Sequence, residues 1–215
     1  MSAALIIEII GALIGLVYLY CEYKAHISLW IVGIVMSVFY IYIYFRSGLF
    51  ANAGIYLYNL GACIYGLIVW YTAQKNSTAE EDSLPIRHCP KRTYLPLFLI
   101  LIVLWLVVWA ILLKVGNPDM PLLESFIASI KSPFRAFGAS GSPVLDSFTA
   151  ALGMVAMWVM ARKYIEHWFC WLTINLISSV MCFTTGLYPA GIMFIVYTIG
   201  SVLGIWNWHR KMTAS

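Results

Sequence analysis

Gly186-Leu187-Tyr188, with Gly204 and Trp208 downstream, repeats Gly48-Leu49-Phe50, Gly66 and Trp70 at one constant offset. A single shared glycine carries little weight. A Gly-Leu-aromatic element, a glycine and a tryptophan at fixed spacing inside apolar helices indicate a duplicated helical bundle. Upstream, Trp30 and Ser37 match Trp171 and Ser178 after a three-residue shift. Duplicated bundles in membranes are typically transporters, with the solute site between the repeats.

Composition places the chain in the membrane class, because 62% of its 215 residues are hydrophobic and only 10% are charged. A span needs roughly 20 apolar residues. Such stretches lie at 4–22, 28–46, 50–71, 95–113, 144–163, 166–184 and 187–208. The expectation is an all-α integral membrane protein of seven helices in a three, one, three arrangement. An odd lone helix between two triplets lets both share one orientation, so the repeats are parallel. Residues 1–71 form the first repeat, 72–143 the polar linker, fourth helix and outer linker, and 144–215 the second repeat.

Basic residues orient the chain. One side carries Lys24, Lys75, Arg87, Lys91, Arg92, Arg162, Lys163, Arg210 and Lys211, the other Arg46, Lys114, Lys131 and Arg135. The amino terminus is therefore expected outside and the carboxyl terminus in the cytoplasm. The first segment has no basic n-region, is interrupted by Glu8 and lacks a small-residue cleavage site, so it reads as a retained span. The net charge of +4 belongs to cytoplasmic loops and is no nucleic-acid signature. Cys21, Cys63, Cys89, Cys170 and Cys182 form no CxxC pair or metal-ligand spacing, and no Walker or redox motif occurs, so no cofactor is implied. Gly138-Ala139-Ser140-Gly141 matches an intramembrane serine-protease nucleophile. It lies in a proline-rich loop, with every histidine at a helix end or in a loop, so that chemistry is not supported. The proline-flanked run Leu122 to Phe137 is weakly amphipathic and reads as a connection or an outer interfacial helix.

Two polar stripes could bind a solute. In the sixth segment, steps of three and four residues put Trp168, Trp171 and Asn175 on one face, continued by Ser178 and Ser179. Such a stripe is costly to turn toward lipid. An interfacial belt for Trp168 and interhelical hydrogen bonding for Asn175 are the alternatives. In the third segment Asn52, Tyr56 and Asn59 share a face, and the second repeat puts Ala190, Phe194 and Tyr197 at those positions. Polar groups in one copy alone suit a solute with unlike ends. Tyr58 and Tyr65 read as helix-interface residues. Glu8 either reaches headgroups or attracts a cationic solute, since a carboxylate at a helix centre costs about 2.5–3.5 kcal/mol. Glu22 and Glu166, near Lys24 and Lys163, read as solvated pairs at helix ends.

The string Trp168-x-x-Trp171-x-x-x-Asn175, the paired elements at 48–50 and 186–188, and the three, one, three layout resemble the PnuC family of bacterial vitamin transporters. The resemblance covers nearly the whole chain. It implies a fold similar to a full-length SWEET protein in the bacterial inner membrane, and facilitated diffusion of a phosphate-free vitamin precursor, usually nicotinamide riboside. It also implies a cytoplasmic kinase that traps the solute, with no bond change catalysed by the carrier itself; assembly as a homo-oligomer is left open. The family's tryptophan pair and amide fall on Trp168, Trp171 and Asn175. Where nicotinamide riboside carriers often show glutamine, this chain has Tyr56. That departure, with Gly54-Ile55-Tyr56-Leu57-Tyr58 and His88-Cys89-Pro90-Lys91-Arg92, resembles the thiamine branch, which stays as an alternative. A non-transporting membrane enzyme or receptor is the reading from another class.

Overall fold

Among the described residues, the computed structural model is all-helical in its regular structure apart from an isolated bridge between Arg87 and Tyr164. It describes residues 3–46, 48, 50–76, 84–116, 118–131 and 142–214, without the side chains of 3–10, 12, 50–52, 76 and 214. The helices are α1 (Ala3–Lys24), α2 (Ser28–Arg46), α3 (Phe50–Asn76), α4 (Lys91–Gly116), α5 (Leu122–Lys131), α6 (Pro143–Ala161), α7 (His167–Thr184) and α8 (Tyr188–Ala214). Among the described residues α2, α3, α4, α6, α7 and α8 are long and apolar enough to cross a membrane. A lipid-facing backbone must satisfy its own hydrogen bonds, which makes helices of these runs. The remaining expected span, 4–22, falls on α1, whose early side chains lie outside the described set. The serine string at 138–141 lies outside the described residues as well.

Three helices extend well past their apolar runs. α3 continues through Gln74 and Lys75, α4 starts at Lys91, and α8 runs six residues past Trp208. Polar helix formers extend the hydrogen-bonded ladder into water, so the polar linker that opens the expected 72–143 segment is shorter than its composition suggests. α5 covers only the first part of the expected 122–137 run. Its serines Ser125 and Ser129 are buried, whereas Leu122, Leu123, Ile127 and Ile130 are exposed. That polarity is the reverse of a soluble surface helix and suits contact with lipid.

The chain divides into two compact units. Unit one comprises Met1–His88, Met157–Trp168 and Gly200–Ser215; unit two comprises Cys89–Ala156 and Phe169–Ile199. In unit one the local structure itself repeats. Ala25 and Lys163, with φ of 56° and 53°, are the described left-handed residues that are not glycine, and they stand apart by the offset from Gly48 to Gly186. Each ends its helix in the same pair of bonds. Ala25 N–H donates to the Glu22 carbonyl and His26 N–H to that of Cys21, as Lys163 does to Met160 and Tyr164 to Val159.

The same offset corrects the three-residue shift assigned to Trp30. Its counterpart is Trp168. A Cβ added at Gly66 would lie 2.5 Å from the Trp30 ring, and one added at Gly204 would lie 2.5 Å from the Trp168 ring. Trp70 meets Trp30 edge-on with centroids 5.5 Å apart, and Trp208 meets Trp168 edge-on at 6.0 Å. Glycine lets each indole lie on the facing helix backbone, which fixes both notches. At the helix ends of this unit, Trp70 Nε1 donates to the Ala161 carbonyl and Trp208 Nε1 to that of Glu22, both at 3.1 Å. Arg162 Nε donates to the Tyr65 hydroxyl at 2.9 Å, so Tyr65 joins α3 to the α6–α7 turn.

In unit two, Trp105 of α4 stacks on Trp109, meets Phe148 of α6 edge-on at 5.4 Å, and donates from Nε1 to the Val144 carbonyl. Trp109 in turn meets Phe126 of α5 at 4.5 Å. α7 and α8 are joined by Ser179, whose hydroxyl donates to the Gly191 carbonyl at 3.3 Å.

Candidate functional site

With the register corrected, α7 is compared with α2 position by position. Trp168 replaces Trp30 in kind, as part of the glycine notch. Along one face the two helices differ: Leu29, Gly33, Ser37 and Tyr40 of α2 stand where α7 has His167, Trp171, Asn175 and Ser178. Spacings of four, four and three keep these on one side of the helix. The scaffold contacts are kept while this stripe gains an imidazole, an indole and an amide. Where Gly33 admits Cys63 of α3, 2.6 Å from an added Cβ, α7 presents the Trp171 ring. That ring lies 4.0 Å from the position a Cβ would take at Gly153 of α6.

Trp171 is half-buried, and its Nε1 is shielded from solvent without a hydrogen-bond partner. An unpaired buried donor costs about 1–3 kcal/mol, so a solute acceptor placed there recovers that cost. Trp168, fully buried in unit one, also has an unpartnered Nε1, as does its counterpart Trp30. For these two the missing bond is a property of the repeated notch. Asn175 is 7% exposed, and Ser178 beyond it is half-buried.

On α3, Tyr56 stacks on Tyr40 at 4.8 Å and lies 5.5 Å from Tyr44, forming a three-tyrosine cluster between α2 and α3. Asn59 is half-buried. Asn52 lies in the first turn of α3 with its side chain outside the described residues. The seven expected site residues thus fall into two groups, one along α7 and one along α3.

Three features went unread in the sequence. Glu22 is not a solvated partner of Lys24: it is 3% exposed, with Oε1 3.3 Å from Nε2 of His167, itself fully buried. The position next to Lys24 suggested solvent, but Trp208 and Asn207 of α8 cover the end of α1 through bonds to Glu22 and Tyr23 carbonyls. Asp146, half-buried in the first turn of α6, was passed over, although it is the repeat counterpart of Glu8. Finally, the segment before α4 pairs with the α6–α7 turn through Arg87 N–H to the Lys163 carbonyl and Ile165 N–H to the Arg87 carbonyl. His88 adds a 3.0 Å contact to Glu166.

Comparison with known proteins gives a consistent answer. The family described as nicotinamide mononucleotide transporter matches residues 5–210. The nicotinamide riboside transporter PnuC of Escherichia coli (strain K12) is 29% identical over 209 residues, 94% of this chain and 84% of that protein. The riboflavin/roseoflavin transporter RibM of Streptomyces davaonensis is 28% identical over 79 residues, 36% of this chain and 37% of that protein. A crystal structure of the vitamin B3 transporter PnuC shares the fold with a TM-score of 0.61 at 20% identity, over 95% of this chain and 80% of that one.

Proposed function

The chain belongs to the nicotinamide mononucleotide transporter family, and we propose that it carries a phosphate-free vitamin precursor, nicotinamide riboside first, across the bacterial inner membrane by facilitated diffusion. It is a multi-pass membrane transporter and not an enzyme. The observation that carries the substrate assignment is the extent of the likeness to the Escherichia coli nicotinamide riboside transporter, 94% of this chain. The stripe on α7 supports it. A pyridinium ring over the Trp171 face gains about 2 kcal/mol when desolvated, and ribose hydroxyls need the acceptors and donors that Asn175 and Ser178 offer.

Our reading assigns solute contacts to Trp171, Asn175 and Ser178 on α7 and to Asn52, Tyr56 and Asn59 on α3; Trp168, expected beside them, is fully buried in its glycine notch and supports the stripe from behind. It keeps the three, one, three arrangement of seven spans, with α4 as the lone helix, the amino terminus outside and the carboxyl terminus in the cytoplasm. A cytoplasmic kinase traps the solute as its phosphate. Thiamine is the second reading, favoured by Tyr56 where nicotinamide riboside carriers often have glutamine. Counterflow of labelled nicotinamide riboside in proteoliposomes holding this protein alone, without ATP, is the expected result. No exchange from purified, ligand-binding protein would sink the carrier reading. Titration with nicotinamide riboside, thiamine and riboflavin side by side ranks the solutes.

A further inference from the structure

The end of α1 meets the start of α7 through two buried ionisable side chains that solute binding does not employ. His167 Nδ1 lies 2.7 Å from the Tyr164 carbonyl oxygen. A carbonyl oxygen only accepts, so Nδ1 carries a hydrogen. A neutral imidazole has just that one, which leaves a lone pair on Nε2, 3.3 Å from Oε1 of Glu22. A carboxylate oxygen is an acceptor too. Neither atom has another hydrogen-bond partner, and both are shielded from solvent. Two facing acceptors repel, so the contact requires one more proton, carried on Nε2 facing the carboxylate or on the Glu22 oxygen facing the imidazole.

We propose that Glu22 and His167 form a proton-binding site that ties the end of α1 to the α6–α7 turn while it is occupied. The repeat supports this. The counterparts of Glu22 and His167 are Met160 and Leu29, both fully buried, so the other copy fills the same positions with apolar side chains. Buried ion pairs are often no more stabilising than apolar groups of like size. The scaffold does not need charge here, and an acid facing an imidazole adds the ability to titrate.

The surroundings keep the proton local. The Trp208 ring meets His167 edge-on at 4.5 Å, and the Trp168 ring lies 4.9 Å away. Tyr18, one turn earlier on α1, donates its hydroxyl to Met157 Sδ, and Cys63 of α3 lies beside Tyr18. The nearby cations have other partners: Lys24 over the Tyr20 ring, Lys163 over the Trp70 ring, and Lys211 of α8 on the Lys24 carbonyl. Glu166, in the same turn, meets His88. His209 on α8 is exposed. On deprotonation the proton passes to water, Nδ1–H stays on Tyr164, and the Nε2 lone pair faces the carboxylate. Attraction turns to repulsion, and the last turn of α1 is then held by the bonds from Trp208, Asn207 and Lys211 of α8 without the Glu22–His167 contact.

Hydrogen exchange by mass spectrometry on the purified full chain tests this without any solute, so its outcome is separate from that of the counterflow experiment. With rates corrected for intrinsic pH dependence, exchange in peptides spanning 18–27 and 162–169 should quicken by roughly tenfold in the parent as the pH is raised from about 5 to about 8. Glu22→Met/His167→Leu, which copies the other half, should show a flat profile. Glu22→Gln keeps the size and donates an amide hydrogen to Nε2, so it should fold and be flat as well. A parent profile that is flat, or a slope that persists in either variant, overturns the proposal.

Discussion

Gly204→Ala should destabilise the protein although alanine is the better helix former. A Cβ at position 204 would sit 2.5 Å from Cε2 and Cζ2 of Trp168 and 2.6 Å from Cδ2, against the 3.5–4.0 Å of a relaxed carbon contact. The indole cannot step aside, because Trp168 is fully buried between Gly204, the Trp208 edge and the His167 ring. Relief therefore requires α7 and α8 to separate by about 1 Å, an overpacking strain of about 1–3 kcal/mol. Against this stands up to about 1 kcal/mol of helix propensity. From the middle of these ranges the net loss is about 1 kcal/mol, a fall in midpoint of roughly 2–4 °C for a chain of this size. Gly66→Ala should match it, since its Cβ would meet three ring carbons of Trp30 at 2.5 Å. Gly61→Ala is the control, with nothing within 4 Å of the added carbon, and should be neutral or stabilising. Thermal unfolding of detergent-purified, solute-free protein, followed by circular dichroism, measures all three. Equal midpoints for Gly204→Ala and Gly61→Ala would refute the notch as the contact that sets the α7–α8 spacing.

Trp171→Leu should keep its unfolding midpoint while affinity for the vitamin drops by about 1–2 kcal/mol; unchanged affinity in a titration would return this ring to a structural role. Trp168→Leu should instead lose about 2–4 kcal/mol of stability, because the fully buried ring leaves a cavity in its notch, and a midpoint equal to that of Trp171→Leu would contradict this contrast. If nicotinamide riboside is the solute, Asn59→Leu and Asn175→Leu should both weaken binding, each by about 1–3 kcal/mol for an unpaired group. Weakening by Asn175→Leu alone would favour thiamine. Ala25→Gly should raise stability by about 0.5–1 kcal/mol, since Ala25 holds φ at 56°, a conformation that glycine adopts without strain; a lower midpoint would contradict that account.

Apolar runs of bilayer length determined the all-helical membrane fold in advance, because hydrocarbon leaves the backbone no partner but itself. The spans observed begin and end within a few residues of those runs, and they overshoot where polar helix formers continue the ladder into water. Constant spacing of Gly48, Gly66 and Trp70 with Gly186, Gly204 and Trp208 likewise announced the duplication. Residue type alone misled at Trp30, where the string around Trp171 invited a three-residue shift. The glycine beneath each indole decided the register, and with it which positions of α7 depart from α2. Burial was the least legible quantity. Glu22 and His167 each sit at a helix end, where sequence suggests solvent, and they meet only because α8 caps the end of α1 while the α6–α7 turn brings the imidazole beneath it. Periodicity records what a helix does along its own axis. Contact between side chains far apart in the chain is a property of packing, and packing alone turned two ionisable helix-end residues into a buried pair.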